Sequence, residues 1–251
     1  MAVIVIGGTS GVGRELVLSL LTSGRKVIVG GRNFKDLEIA LKDYSLDQCR
    51  MIFIDLNDQS TYEDFWSKAV MSFSSIDTLV MYAGSTSQGG FYECGTRAAH
   101  DLTEIIRINL MSAVYLCGKY VDYCTNNRLN GHVIFTGTGH MYAGEIDRLY
   151  YALSKGGLLT LMRHIVRNYS EKGIRANMVL MGWTLTEGEL RLRSSIGFDF
   201  DNAQSLVENS IPLTKTFIPI SDLVEAYMFL CNTAPRTLTN TILNVNGGER
   251  I

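Results

Sequence analysis

The chain has 251 residues and a mass of 27.9 kDa, with 46% hydrophobic and 19% charged residues and only 3 prolines. That composition excludes a stapled mini-protein and a disordered chain, and it suffices for one large α/β domain. A formal charge of −2 and a pI near 6.1 offer no bulk attraction for a phosphate backbone, so no nucleic-acid partner is expected.

In chain order, β-branched runs recur at Val3–Ile6, Val27–Val29, Met51–Ile54, Thr78–Met81, Val133–Thr136, Ala176–Leu180 and Ile242–Val245. Between them, apolar residues fall at helical spacing, as in Val12/Leu16/Leu20, Phe65/Ala69/Phe73 and Leu158/Met162/Ile165/Tyr169. This alternation predicts a Rossmann-type α/β fold, a doubly wound parallel sheet of about seven strands with helices on both faces. No linker or repeat divides the chain, so 1–251 reads as one domain, with 183–219 as a substrate loop or lid. The first strand begins directly after Met1-Ala2, without a basic leader, and no apolar run reaches the ~20 residues that cross a bilayer. A cytoplasmic protein with no membrane partner is expected. The five cysteines, Cys49, Cys94, Cys117, Cys124 and Cys231, show neither Cys-x-x-Cys pairing nor ligand-spaced histidines, so no disulfide framework and no metal site are expected.

The first strand runs into Gly7-Gly8-Thr9-Ser10-Gly11-Val12-Gly13 and then a helical pattern from Arg14. Strand, glycine turn and helix in that order bring backbone N–H groups and a helix N-terminus to a pyrophosphate. After the second strand stands Arg32, where a NAD-preferring enzyme needs a carboxylate for its ribose hydroxyls. Arg32 instead suits a 2′-phosphate, so NADP(H) is expected to be preferred, with NAD(H) possible. Asp55, followed by Leu56, closes the third strand and suits an adenine amino group.

Tyr151-Ala152-Leu153-Ser154-Lys155 puts a phenol and an ammonium on one helix face. A tyrosine near its free pKa of ~10 exchanges protons poorly at neutral pH until a cation favours its phenolate, and Lys155 is placed to do so. The spacing recurs at Tyr115 and Lys119, but there Leu102 stands 13 residues upstream. Thirteen residues before Tyr151 stands Thr138, a hydroxyl just after a strand.

Together these motifs resemble the short-chain dehydrogenase/reductase family, from Val3 to Gly248. The resemblance rests on Gly7/Gly11/Gly13, Asp55, Ala83-Gly84, Asn109, Thr138, Tyr151/Lys155, Gly182-Trp183-Thr184-Leu185-Thr186 and Asn246-Gly247-Gly248. It implies that Tyr151 exchanges a proton with the carbonyl or alcohol oxygen. Lys155 would hold the nicotinamide ribose and lower the tyrosine pKa, Thr138 would orient the substrate oxygen, and Asn109 would support a relay water. Cofactor contacts are implied for the glycine turn with Thr9, Ser10 and Val12, for Arg32, Asp55 and Leu56, for Ala83 and Gly84, and for Gly182, Thr184 and Thr186.

Four residues depart from the family pattern: Tyr82 for Asn, Thr138 for Ser, Met181 for Pro and Asn246 for Asp. Thr138 keeps its hydroxyl, whereas Tyr82 loses a compact amide that helps join the central strands.

The expected activity is interconversion of a ketone and a secondary alcohol on a small, partly hydrophobic metabolite. Reduction of 3-oxoacyl thioesters is an alternative, for which Arg191 and Arg193 are the only hint of a carrier-docking patch; a non-catalytic NADP-binding regulator is another. Met141, Tyr142, Trp183 and Leu185 are expected to line the substrate pocket, with Phe91 a weaker candidate. The resemblance also implies a homotetramer or homodimer, and the apolar stretch from Arg97 to Asn126 is compatible with either a subunit contact or core packing.

Overall fold

A computed structural model describes residues 1–86, 96–145, 148–187, 189–190, 205 and 207–249, with only the backbone for Leu46 and residues 96–100. Seven strands form one sheet: β1 (Ala2–Ile6), β2 (Lys26–Gly31), β3 (Cys49–Phe53), β4 (Ile76–Met81), β5 (His132–Thr138), β6 (Arg175–Met181) and β7 (Ile242–Val245). Their order is β3-β2-β1-β4-β5-β6-β7, and every pairing is parallel. Helices α1 (Gly11–Thr22), α2 (Lys35–Ala40), α3 (Tyr62–Ser72), α4 (Thr96–Ile106), α5 (Ser112–Asn126), α6 (His140–Ala143), α7 (Leu149–Tyr169) and α8 (Ile220–Met228) accompany the strands.

The side-chain alternation of β1 builds both faces of the core. Ala2, Ile4 and Ile6 join Phe65 of α3, Leu116 of α5 and Met162 of α7 on one side. Val3 and Val5 join Leu16 of α1, Leu37 of α2 and Leu223 of α8 on the other. All five β1 residues are fully buried, as a central strand covered on both faces requires. Each large aliphatic side chain buried in this way contributes roughly 1.5–3 kcal/mol.

From β1 the chain winds outward to β2 and β3, then returns to place β4 on the other side of β1. That reversal is the topological switch point, where open α/β sheets bind ligands at the strands' carboxyl ends. The glycine turn and Tyr82-Ala83-Gly84 leave β1 and β4 there, side by side, with the N–H groups of Tyr82 and Ala83 both donating to the Ile6 carbonyl, at 3.1 and 2.7 Å.

Most strands extend one or two residues beyond the predicted runs, and three differences matter more. Strand β3 starts at Cys49 rather than Met51, because pairing with β2 begins where Cys49 meets Val27. The apolar stretch from Arg97 is interrupted by a π-helical turn, Arg107–Met111, between α4 and α5. In the 183–219 segment, Val207, Ile211 and Ile218 are buried in the core beside α8, so its far end is an anchored part of the fold. Residues 191–204, which include Arg191, Arg193 and several of the lid's apolar side chains, lie outside the described residues, as does Phe91.

Candidate active site

The glycine turn is built by close approach. Gly7 has φ +92°, and a Cβ there would stand 2.7 Å from the Ala83 backbone. A Cβ on Gly13 would stand 2.3 Å from the Gly7 carbonyl oxygen. No side chain fits at either place, so the turn presents backbone to the groove above it, and α1 starts within it at Gly11.

That groove, of about 360 Å³, is lined by Gly7, Thr9, Ser10, Gly31, Arg32, Asp55, Leu56 and the Tyr82–Ser85 segment, with Glu104. It brings together eight of the residues expected to meet a dinucleotide: Gly7, Thr9, Ser10, Arg32, Asp55, Leu56, Ala83 and Gly84. Arg32 is exposed. Asp55 accepts from the Asn57 N–H at 2.9 Å, which leaves its second carboxylate oxygen without a bond among the described residues. Val12 is fully buried in the core, so only its backbone can serve a cofactor. These features pass the test for a dinucleotide: a cradle that a Cβ would fill, a helix N-terminus above it, a cation at the far end of β2 and a carboxylate at the end of β3.

The other expected cofactor residues close the groove from the side. A Cβ on Gly11 would meet Thr186 Cγ2 at 3.3 Å, and Arg14 pairs with Glu187 at 3.5 Å, so the segment after β6 lies over the glycine turn. The Thr184 hydroxyl donates to the Gly182 carbonyl at 3.2 Å, and a Cβ on Gly182 would stand 2.6 Å from Asn246 Cα.

The four catalytic candidates meet at the carboxyl ends of β4 and β5. Asn109 is buried within the π-helical turn, a feature found often at functional sites. Its Oδ1 accepts from the Ser85 N–H at 2.7 Å, and its Nδ2 donates to the Ser85 carbonyl and the Ser154 hydroxyl, both at 2.9 Å. Lys155 is 2% exposed and donates from Nζ to the Thr136 carbonyl at 3.1 Å. Nζ stands 5.8 Å from the centre of the Tyr151 ring. A Cβ on Gly84 would meet Lys155 Nζ at 3.1 Å and Asn109 Oδ1 at 3.3 Å, so Gly84 leaves the gap between those two groups open. Thr138, 7% exposed, shares a side-chain hydrogen bond with Tyr151.

Burial dominates the titration of both members of the Tyr151–Lys155 pair. It pushes the Tyr151 phenol up to about 12, opposed by the Thr138 hydrogen bond and the Arg148 charge and reinforced by Glu189. It pushes the Lys155 ammonium down to about 8. The Arg148 charge thus opposes the rise of the phenol pKa, and the Lys155 ammonium beside the ring also donates to the Thr136 carbonyl. Arg148 stands three residues before Tyr151, a helical-spacing signal that the motif spacing does not include.

The expected substrate residues are more dispersed. Met141 packs partly into the core, and Tyr142 is exposed. The Trp183 ring lies edge-on to Phe217 with centres 5.3 Å apart, and Leu185 is half-buried. Tyr82, which replaces the family amide, lies edge-on to Tyr227 at 5.9 Å. Tyr227 in turn bonds the Thr136 hydroxyl, so an aromatic wedge now links β4 and β5 to α8. Burial drives the Tyr82 phenol far above its ordinary pKa. The Asn246 side-chain Oδ1 still caps its own turn, accepting from the Gly248 N–H at 3.2 Å.

The family model for short chain dehydrogenases matches residues 1–196. The chain belongs to that family and is an oxidoreductase acting on CH–OH and C=O groups. It is 25% identical over 245 residues to the 3-oxoacyl-acyl-carrier-protein reductase of Escherichia coli (strain K12), covering 98% of this chain and 95% of that one. Among solved structures it resembles 4-hydroxyisoleucine dehydrogenase complexed with NADH, with a TM-score of 0.86, 19% identity and 98% and 97% of the two chains covered. ElxO with NADP bound matches with a TM-score of 0.85, 20% identity and 98% and 97% coverage. At those identities the two structures show the shared fold.

Proposed function

We propose that the protein is an NADP(H)-dependent ketone reductase, or in reverse a secondary-alcohol dehydrogenase, acting on a small, partly hydrophobic metabolite. The observation that carries this reading is the convergence of Tyr151, Thr138, Lys155 and Asn109 beside the glycine-turn groove. The nicotinamide supplies or accepts the hydride. Thr138 orients the substrate oxygen, and the Tyr151 phenol gives it a proton. A phenol held near 12 is protonated at neutral pH, the form that reduction requires. Lys155 and Asn109, flanking the Gly84 gap, hold the ribose side and return the proton from solvent.

Arg32, the residue after β2, stands where an NAD-preferring enzyme needs a carboxylate and supports NADP(H) over NAD(H) through the 2′-phosphate. Named relatives include structures with either cofactor. A 3-oxoacyl thioester is the second reading, supported by the name of the Escherichia coli relative. The reading also carries a single cofactor-binding domain over 1–251, with 183–219 as the substrate loop, a cytoplasmic setting, and a homodimer or homotetramer. Met111 at the end of the π-helical turn, Val114 on α5 and Leu153 on α7 are each at least half exposed and suit a subunit contact. Among the described residues no helix is long and apolar enough to cross a membrane.

The test is loss of NADPH absorbance with a panel of ketones, repeated with Tyr151→Phe. Turnover that depends on Tyr151 supports the reading; NADPH binding without turnover on any ketone overturns it in favour of a non-catalytic binder.

A further inference from the structure

Beyond Thr138 the chain makes a single helical turn, α6, and ends it at Gly144, whose φ of +68° lies in the left-handed region. The reversal brings Glu145 back onto the first residue of the turn, where its Oε2 pairs with His140 Nδ1. His140 touches both groups that grip the substrate oxygen. Its backbone N–H faces the Thr138 hydroxyl at 3.4 Å, and its ring lies edge-on to Tyr151 with centres 6.0 Å apart. With Nδ1 taken by the carboxylate, Nε2 is the ring atom without a protein partner among the described residues. A carboxylate that fixes one imidazole nitrogen so that the other can meet a ligand is a recurrent arrangement in enzyme sites.

We propose that His140, oriented by Glu145, determines substrate specificity by binding a second, uncharged oxygen that lies one or two carbons from the reacting carbonyl. The inference rests on the ketone-reductase reading and adds a substrate class to it: ketones carrying a nearby ester, carbonyl or hydroxyl group. Nε2 accepts from a hydroxyl as neutral imidazole and donates to a carbonyl as imidazolium, so either oxygen fits. The surrounding charges select against a carboxylate. Glu145 faces His140 directly, Glu249 faces Glu145, and Glu189 and Arg148 both act on Tyr151. Glu145, Glu189 and Glu249 stand against the Arg148 guanidinium and the Lys155 ammonium, and Glu145 already holds Nδ1, so a carboxylate on Nε2 would be a second anion on one imidazole.

The experiment compares kcat/KM for ethyl acetoacetate, which carries the second oxygen, with that for methyl butyl ketone, which lacks it. The unmodified chain should prefer ethyl acetoacetate, and His140→Ala should lower that preference about tenfold, the worth of one hydrogen bond near the upper end of the usual range. Glu145→Ala should lower it in the same direction. Gly144→Ala should do so too: a Cβ there meets nothing within 4 Å, but the left-handed backbone is strained and Glu145 is displaced. The double variant His140→Ala/Glu145→Ala should fall no further than His140→Ala, because Glu145 acts through His140. An unchanged NADPH dissociation constant in each variant shows that the fold is intact. Equal losses on the two ketones, or an unchanged preference, overturn the inference. Reduction of methyl butyl ketone alone, or of other ketones of the panel but not ethyl acetoacetate, overturns it while leaving the reductase reading in place; reduction of no ketone at all overturns both.

Discussion

The chain writes the same short phrase twice, Tyr-x-x-x-Lys at 115/119 and at 151/155, each on one face of a helix, and the fold gives the two copies opposite fates. On α5, the Tyr115 hydroxyl donates to Glu63 at 2.5 Å and Lys119 pairs with the same carboxylate at 2.7 Å, at the protein surface. On α7, Tyr151 and Lys155 stand at the carboxyl end of β5. There Lys155 is 2% exposed and has no carboxylate partner among the described residues. The surface pair is neutralised by its own neighbour, and Glu63 raises the Tyr115 pKa through its hydrogen bond. The α7 pair, with Lys155 buried and Tyr151 half-buried, is left where burial penalises both the ammonium and the phenolate. Spacing alone therefore carries no chemistry; the position of the helix relative to the strand ends does.

The sharpest way to break this comparison is to remove one hydroxyl at a time. Tyr151→Phe should lower kcat by ~10²–10⁴-fold, the usual contribution of a positioned acid or base, and leave NADPH binding nearly intact. Tyr115→Phe should leave kcat within about twofold on the same reasoning. A large loss at Tyr115 with none at Tyr151 would reverse the assignment.

The next effect separates the lysines by their response to pH. Burial lowers the Lys155 pKa from 10.5 to about 8. Between those values the unfolded chain binds more protons at this site than the folded one, so stability rises with pH across the window. Below about pH 8 the buried ammonium costs on the order of 3 kcal/mol, an upper figure for an uncompensated group. Lys155→Met should flatten that rise in denaturant melts taken between pH 8 and 10, while also weakening NADPH binding and turnover. Lys119→Met should leave the rise in place.

A smaller effect belongs to the groove rather than to either pair. Arg32→Ala should erode the NADPH-over-NADH preference by roughly tenfold, about the worth of one charge-assisted hydrogen bond to the 2′-phosphate. It should leave kcat with saturating NADPH unchanged, because Arg32 lies at the far end of the groove from Tyr151. Equal dissociation constants for the two cofactors in the unmodified chain would remove the NADP assignment.

Legibility in the sequence followed the range of the interactions involved. Local signals matched the fold in the alternation in β1 and the glycine turn, whereas Thr138, expected just after a strand, is the last residue of β5. What the sequence hid depended on backbone reversals and long-range contacts. Glu145 meets His140 only because Gly144 adopts a left-handed φ. The Asn109 amide is fixed by Ser85 and Ser154, the latter 45 residues away. The anchoring of Val207, Ile211 and Ile218 is a matter of which face α8 covers. Lys155 as the cation that lowers the tyrosine pKa was a natural reading of spacing. In the folded chain Lys155 also donates to the Thr136 carbonyl, and Arg148, just before α7, adds a second cation that the spacing did not show.

The smallest expected effect tests the bland half of the comparison. Glu63→Gln removes the carboxylate that holds Tyr115 and Lys119, and Lys119 sits over the Tyr115 ring at 5.6 Å. All three groups are solvent-accessible, so water replaces what the mutation removes and salt screens what remains. Thermal unfolding should shift by no more than measurement error, and by less still at high ionic strength. The visible consequence should be in titration. Glu63 raises the Lys119 and Tyr115 pKa values, so their removal from its field should lower both towards ordinary values in a nuclear magnetic resonance titration. If instead Glu63→Gln cut turnover, the surface copy would be coupled to the site through α5. The helix would then be transmitting an effect that its exposed face gives no reason to expect.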